Sequence, residues 1–246
     1  MKRLENKVAL VTGGSRGMGA AIVEKLAAEG ADIVFTYSKS KERADEVSAR
    51  VSGYGRKAVA IQANNAVAAD ILHAVDTTIQ QFGRIDILVN NAGMYQYKLL
   101  EEYTLEDYDL MMAVNTRAVF VASQAAAKYM EAGSRIITIG SNMAERLAAP
   151  GGLLYAMSKS ALIGLNKGLA RDLGSKGITA NLVQPGPIDT EMNPADSAHA
   201  AAIASFTALG RYGKTEEIAS LVSYLAGPES SFITGTTQTI DAGFNS

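Results

Sequence analysis

Short runs of apolar, largely β-branched residues alternate with longer amphipathic segments from one end of the chain to the other. The runs fall at 8–12, 32–37, 58–62, 85–90, 135–139, 179–183 and 237–240, most of them near-continuously apolar, as strands covered on both faces are. Helical spacing occupies 17–29, 41–50, 69–81, 104–129, 155–174 and 215–226, with β-branched Val114 and Thr116 placed to interrupt the fourth. This alternation predicts one α/β domain over 1–246, a doubly wound, seven-stranded parallel sheet with helices on both faces, Rossmann-like. No Pro- or Ser-rich linker, charge block or internal repeat divides it. All five prolines follow Ala149, so the irregular loops gather in the C-terminal half. In an open α/β sheet, ligands bind beyond the carboxyl ends of the strands, and the functional residues are expected there.

Composition narrows the chemistry. The 23 Lys and Arg against 25 Asp and Glu leave a net charge of −2, without the positive excess that neutralising nucleic-acid phosphates requires. No Cys is present, which excludes disulfides, thiolate metal sites and a cysteine nucleophile. His73 and His199 are the only imidazoles, too few for a multi-histidine metal centre, and no metal is expected. No apolar run approaches the roughly 20 residues that span a bilayer, and 8–11 is shorter than a signal-peptide core. The expectation is a cytoplasmic protein without membrane or nucleic-acid partners.

The first strand runs directly into Gly13-Gly14-Ser15-Arg16-Gly17-Met18-Gly19 and then an Ala-rich helix. Glycines let the backbone approach a pyrophosphate, and a helix N-terminus offers unpaired N–H groups with a favourable dipole. The alternative is an ordinary tight turn, but the strand before and the helix after favour a nucleotide. At the end of the second strand, where an acid normally meets the ribose hydroxyls of NAD, the chain reads Tyr37-Ser38-Lys39-Ser40. A carboxylate there would repel a 2′-phosphate, whereas Arg16, Ser38, Lys39 and Ser40 offer it charge and hydrogen bonds. NADP is therefore expected over NAD.

Tyr-x-x-x-Lys occurs twice. Tyr37 and Lys41 straddle a polar turn, where i,i+4 spacing brings no side chains together. Tyr155 and Lys159 share a helix face, where an ammonium beside a phenol is expected to favour the phenolate and lower its pKa. Ser141 lies just past the fifth strand, Asn90-Asn91-Ala92-Gly93 just past the fourth, and Asn115 in mid-helix, where asparagine is a poor helix former. Singly each has a bland explanation as a cap or turn residue; together they sit in register at the strand ends.

In this order, TGGSRGMG at 12–19, NNAG at 90–93, Asn115, Ser141, YAMSK at 155–159 and PGPIDT at 185–190 resemble the short-chain dehydrogenase/reductase family over essentially the whole chain. The resemblance implies a homotetramer or dimer that reduces a carbonyl or oxidises an alcohol with a nicotinamide cofactor. It implies Tyr155 as acid/base, Lys159 as ribose ligand and tuner of Tyr155, Ser141 orienting the substrate oxygen and Asn115 holding a proton-relay water. In the Pro185-Gly186 loop, Ile188 and Thr190 would hold the carboxamide, and Asn91, Ala92 and Gly93 would border the adenosine ribose. Where many members carry an acid against adenine, this chain has Asn64, whose amide can donate and accept at a base edge.

Two further readings stay open within the family. Carrier-protein ketoreductases dock an acidic partner on basic helix surface, which 128–133 with its mixed charge supports poorly, leaving Lys176. The stretch 183–190 with Asn193-Pro194-Ala195 also resembles a subgroup that includes a cyclic-di-GMP-binding regulator. Met94, Tyr95, Tyr97, Met143, Leu153, Leu154 and Met192 lie on or beside strand-end loops and point to a neutral, partly hydrophobic ketone or ketoester. A mobile lid is expected at 191–209, with a short amphipathic helix over 195–206 carrying Ile203 and Phe206.

Overall fold

Every apolar run singled out in the sequence forms a strand. The structure, a computed structural model, describes residues 2–246. In chain order come β1 (Val8–Val11), α1 (Gly17–Ala28), β2 (Asp32–Tyr37), α2 (Lys41–Gly53), β3 (Ala58–Gln62), α3 (Ala68–Phe82), β4 (Ile87–Asn90) and α4 (Leu105–Met112). There follow α5 (Ala118–Ala126), β5 (Arg135–Ile139), α6 (Leu153–Gly174), β6 (Thr179–Pro185), α7 (Ala200–Ser205), α8 (Thr215–Ala226) and β7 (Thr237–Ile240). The strands form one parallel sheet in the order β3-β2-β1-β4-β5-β6-β7.

Because successive strand residues point to opposite faces, alternate side chains feed two separate cores. Ala9, Val11, Ile33, Phe35, Ile87, Val89 and Ile137 pack on one face against Ile22 and Leu26 of α1, Val47 of α2 and Val222 of α8. Leu10, Val34, Leu88 and Ile136 pack on the other against Ile71 and Val75 of α3, Ala122 of α5 and Leu173 of α6. That two-sided burial is the reason these strands read as apolar runs and not as alternating ones.

The chain leaves β1 toward β2 and β3 on one side and returns to β4 and the rest on the other, so a crevice opens between the carboxyl ends of β1 and β4. The long helix expected over 104–129 is indeed interrupted: Ala113–Arg117 form a π turn between α4 and α5. The lid helix is shorter than expected, six residues in place of twelve. Asp189 Oδ1 accepts the Ala195 N–H at 2.9 Å and Ser197 N–H turns back to the Pro194 carbonyl at 3.2 Å, so 194–199 are committed to turns before helical bonding begins.

Candidate active site

The glycine turn is stitched into the mouth of the crevice. Gly13 adopts φ +68°, open to glycine at no steric cost, and donates its N–H to Thr36 Oγ1 at 2.9 Å; Gly14 donates to the Thr36 carbonyl at 2.8 Å. A Cβ on Gly19 would overlap the Gly13 carbonyl oxygen and lie 2.6 Å from Asn91 Nδ2. The Asn91 amide donates to the Thr12 and Gly13 carbonyls at 3.0 Å each. Its side chain thus holds the turn, and Ala92 and Gly93 line the cleft with it.

The cleft measures about 320 Å³ and is bounded by Gly13, Ser15, Arg16, Gly17, Met18, Gly19, Tyr37, Ser38, Asn64 and Thr190. α1 begins inside it, and its N-cap, Arg16, makes no side-chain capping bond, so the first-turn N–H groups are left for an anion. These residues fit a dinucleotide: a cradle that a Cβ would fill, next to a free helix N-terminus. Asn64 Oδ1 is taken by the Ala66 N–H at 3.0 Å, so its role against a base rests on its NH₂ group. Lys39 and Ser40, expected beside a 2′-phosphate, do not line the cleft; the Ser40 hydroxyl instead caps α2 by accepting the Arg43 N–H at 3.4 Å. Arg43, outside the sequence-based set, reaches the cleft rim, where it and Arg16 both bind Glu191. Its position in the first turn after the second strand is the only sequence signal that could have marked it.

Ser141, Tyr155 and Lys159 converge where β5 ends. Ser141 is buried, and its hydroxyl accepts the Met143 N–H at 3.2 Å. Tyr155 stands in the first turn of α6, half-buried, with its ring edge-on to Tyr95 at 5.1 Å between centroids. Lys159, one turn on, is buried, donates to the Ile139 carbonyl at 2.8 Å and lies 5.7 Å from the centre of the Tyr155 ring. Burial pulls the Lys159 ammonium down to about 8. The expected lowering of Tyr155 is not found: burial pushes its phenol up, opposed only by the Ser141 hydroxyl. Desolvation outweighs the Ser141 hydrogen bond, and Tyr155 rests as a proton donor.

Asn115 is fully buried in the π turn. Its Oδ1 accepts the Met94 N–H and its Nδ2 donates to the Met94 carbonyl, each at 2.9 Å, with Ser158 Oγ at 3.0 Å. The side chain is therefore spent on tying the loop after β4 to α6, which leaves only its main chain for the water-holding role that the resemblance implies.

A second cavity, about 330 Å³, opens over Ser141 and Tyr155 and shares Met18, Thr190 and Met192 with the first. Pro185, Gly186 and Ile188 form its floor toward β6. Of the apolar residues expected in it, Tyr95, Met143 and Met192 are present. Met94 faces the dinucleotide cleft, Tyr97 packs over Gly151, Leu154 is buried in the fold and Leu153 is exposed. Ile203 and Phe206 of the lid and Phe244 of the C-terminal tail complete the wall. Phe206 and Phe244 meet edge-on at 5.6 Å, and Arg146 Nη1 pins the Phe244 carbonyl at 2.5 Å. No sequence motif marks Phe244, because the tail reaches the site only after β7 has paired at the sheet edge. Among the described residues no cluster able to hold a metal ion is found, and no helix is long and apolar enough to cross a membrane.

Comparison with known proteins agrees with this geometry. Residues 13–245 match the family described as enoyl-(acyl carrier protein) reductase. A short-chain dehydrogenase from Burkholderia cenocepacia solved in complex with NADP is 53% identical and superposes with a TM-score of 0.98, covering 99% of this chain and 100% of that one. The cyclic-di-GMP-binding biofilm dispersal mediator protein of Escherichia coli is 42% identical, with 99% of each chain covered. The 3-oxoacyl-[acyl-carrier-protein] reductase of a Synechocystis strain is 40% identical, over 99% of this chain and 98% of that one. The chain belongs to the short-chain dehydrogenase/reductase family of NAD(P)-dependent oxidoreductases.

Proposed function

We propose that the protein is an NADP(H)-dependent carbonyl reductase acting on a neutral, partly hydrophobic ketone or ketoester, or in reverse on a secondary alcohol. The observation that carries this reading is geometric: Tyr155 opens with Ser141 into an apolar cavity that adjoins the glycine cleft. Gly13, Ser15, Gly17, Met18 and Gly19 would hold the pyrophosphate, Arg16, Tyr37 and Ser38 the adenosine ribose and its 2′-phosphate, and Ile188 and Thr190 the carboxamide. When bound there, the nicotinamide supplies the hydride.

The chain's own residues supply the rest. Ser141 orients the substrate oxygen, and Tyr155 donates its proton to the alkoxide as it develops, so that charge does not accumulate in the apolar cavity. Lys159, next to Gly93 and the ribose end of the cleft, binds hydroxyls, and its ammonium offsets the negative charge left on Tyr155 when the phenol gives up its proton. The segment 191–209 acts as a lid whose Ile203 and Phe206 exclude water from the site. The family resemblance carries the expectation of a homotetramer; exposed Leu105, Leu110 and Phe120 on α4 and α5 offer apolar surface for a subunit contact, and light scattering on the purified protein would measure the assembly.

A turnover screen with both nicotinamide cofactors over ketones, ketoesters, sugars and secondary alcohols tests the reading. Preferential turnover of apolar ketones with NADPH supports it, and a preference for charged or polyhydroxylated substrates overturns it. The similarity to the biofilm dispersal mediator favours a second reading, a regulator that binds cyclic-di-GMP on the same fold. Micromolar binding of that dinucleotide without turnover of any carbonyl would establish it in place of the first.

A further inference from the structure

At the rim of the dinucleotide cleft one carboxylate occupies two arginines. Arg43 Nη1 donates to both oxygens of Glu191, at 2.6 and 2.7 Å, and Arg16 Nη1 donates to one of them at 3.2 Å. Arg16 stands at the N-cap position of α1 and Arg43 lies in the first turn of α2, so the two converge from elements that flank the end of β2, where Tyr37 and Ser38 line the cleft. Two guanidinium groups around one anion are the donor set that takes a phosphate. The pairing holds the Glu191 carboxyl below the usual carboxylate range, so it is ionised at neutral pH.

We propose that Glu191 is an internal competitor for the 2′-phosphate of NADP(H): its carboxylate holds Arg16 and Arg43 in the free protein, and the phosphate displaces it from them. The inference rests on the NADP(H) reading above and adds Arg43 and Glu191 as determinants of cofactor choice. A cofactor without the phosphate leaves the carboxylate in place and gains nothing from either arginine. All three side chains are about half exposed, at 51%, 45% and 54%, so the competition is a modest one, set against a charge-assisted phosphate contact.

The test separates the two readings by using the adenosine end alone. Adenosine 2′,5′-bisphosphate and 5′-AMP are titrated calorimetrically into the wild type, Glu191→Gln, Arg43→Ala and the double variant. Glu191→Gln is expected to tighten the bisphosphate about two- to fivefold, the size of an exposed ion pair, with 5′-AMP unchanged. Arg43→Ala is expected to weaken the bisphosphate about tenfold, the low end for a charge-assisted hydrogen bond, again with 5′-AMP unchanged. In the Arg43→Ala background the gain from Glu191→Gln should shrink, since one of the two arginines it competes for is gone. A Glu191→Gln protein that binds the bisphosphate no better than the wild type, or an Arg43→Ala protein that loses both ligands equally, overturns the proposal. A wild type that turns over carbonyls better with NADH than with NADPH defeats the cofactor reading instead, whatever the bisphosphate titrations give.

Discussion

The Asn115 side chain and the Met94 backbone exchange two hydrogen bonds of 2.9 Å, one in each direction. This reciprocal pair fastens the loop after β4 to the π turn, beside which Lys159 and Tyr155 stand. Asn115→Ala removes both partners and leaves the Met94 N–H and carbonyl unpaired in a partly buried place. The expected cost is about 1–3 kcal/mol in urea unfolding, with turnover falling as the loop loosens. A variant of unchanged stability would show that the pair holds nothing.

Tyr155→Phe keeps the ring, its contact with Tyr95 and the packing of α6, and removes the hydroxyl that carries the proton. Cofactor binding should persist while turnover drops by at least ~10²-fold, the lower end for a general acid. Undiminished turnover would remove Tyr155 from the mechanism.

Lys159, drawn down to about 8, makes cofactor affinity depend on pH. Its charged form is the one that meets ribose hydroxyls, so NADPH affinity should weaken as pH rises through about 8 and be flat, and lower, in Lys159→Met. The stability effect has the opposite slope. Above the folded value and below the ordinary lysine range, the unfolded chain keeps a proton that the folded chain has released, so this group adds stability as pH rises through that window. Below it, the buried charge is a cost, and Lys159→Met should raise Tm there if methionine fills the same space.

Phe244 reaches the substrate cavity from the C-terminal tail and meets Phe206 of the lid edge-on. Replacing it with Ala opens the wall between them. KM for bulky hydrophobic ketones should rise by about two- to tenfold, the range of an aromatic pair, with little change for the smallest ones. Equal effects on small and large substrates would place Phe244 in the support of the fold and not in the pocket.

Helix α7 of the lid packs weakly: most of it is alanine, and Ala200 is its one buried residue. Hydrogen exchange over 191–209 should slow when NADP(H) and a substrate analogue bind together. Equal protection in the free and bound protein would eliminate a moving lid.

Local pattern alone determined the seven strands and the glycine turn, because each depends on interactions within a few residues or on burial that the hydrophobic run itself records, whereas Ser141, Tyr155 and Lys159 were marked as a set by the family resemblance and meet only where β5 ends. Leu10 and Val11 already alternate between the two cores in the only way a strand allows. Side-chain partners across the fold are a different matter. Asn91 reads in the sequence as a border of the ribose, yet its amide is taken up by Thr12 and Gly13, nearly eighty residues away, once β1 and β4 lie side by side. Arg43 and Glu191 meet across 148 positions, and Phe244 closes a pocket begun by Ser141. The direction of the Tyr155 shift was likewise decided by the assembled site, since desolvation depends on everything that surrounds a group and spacing along a helix says only which groups are near.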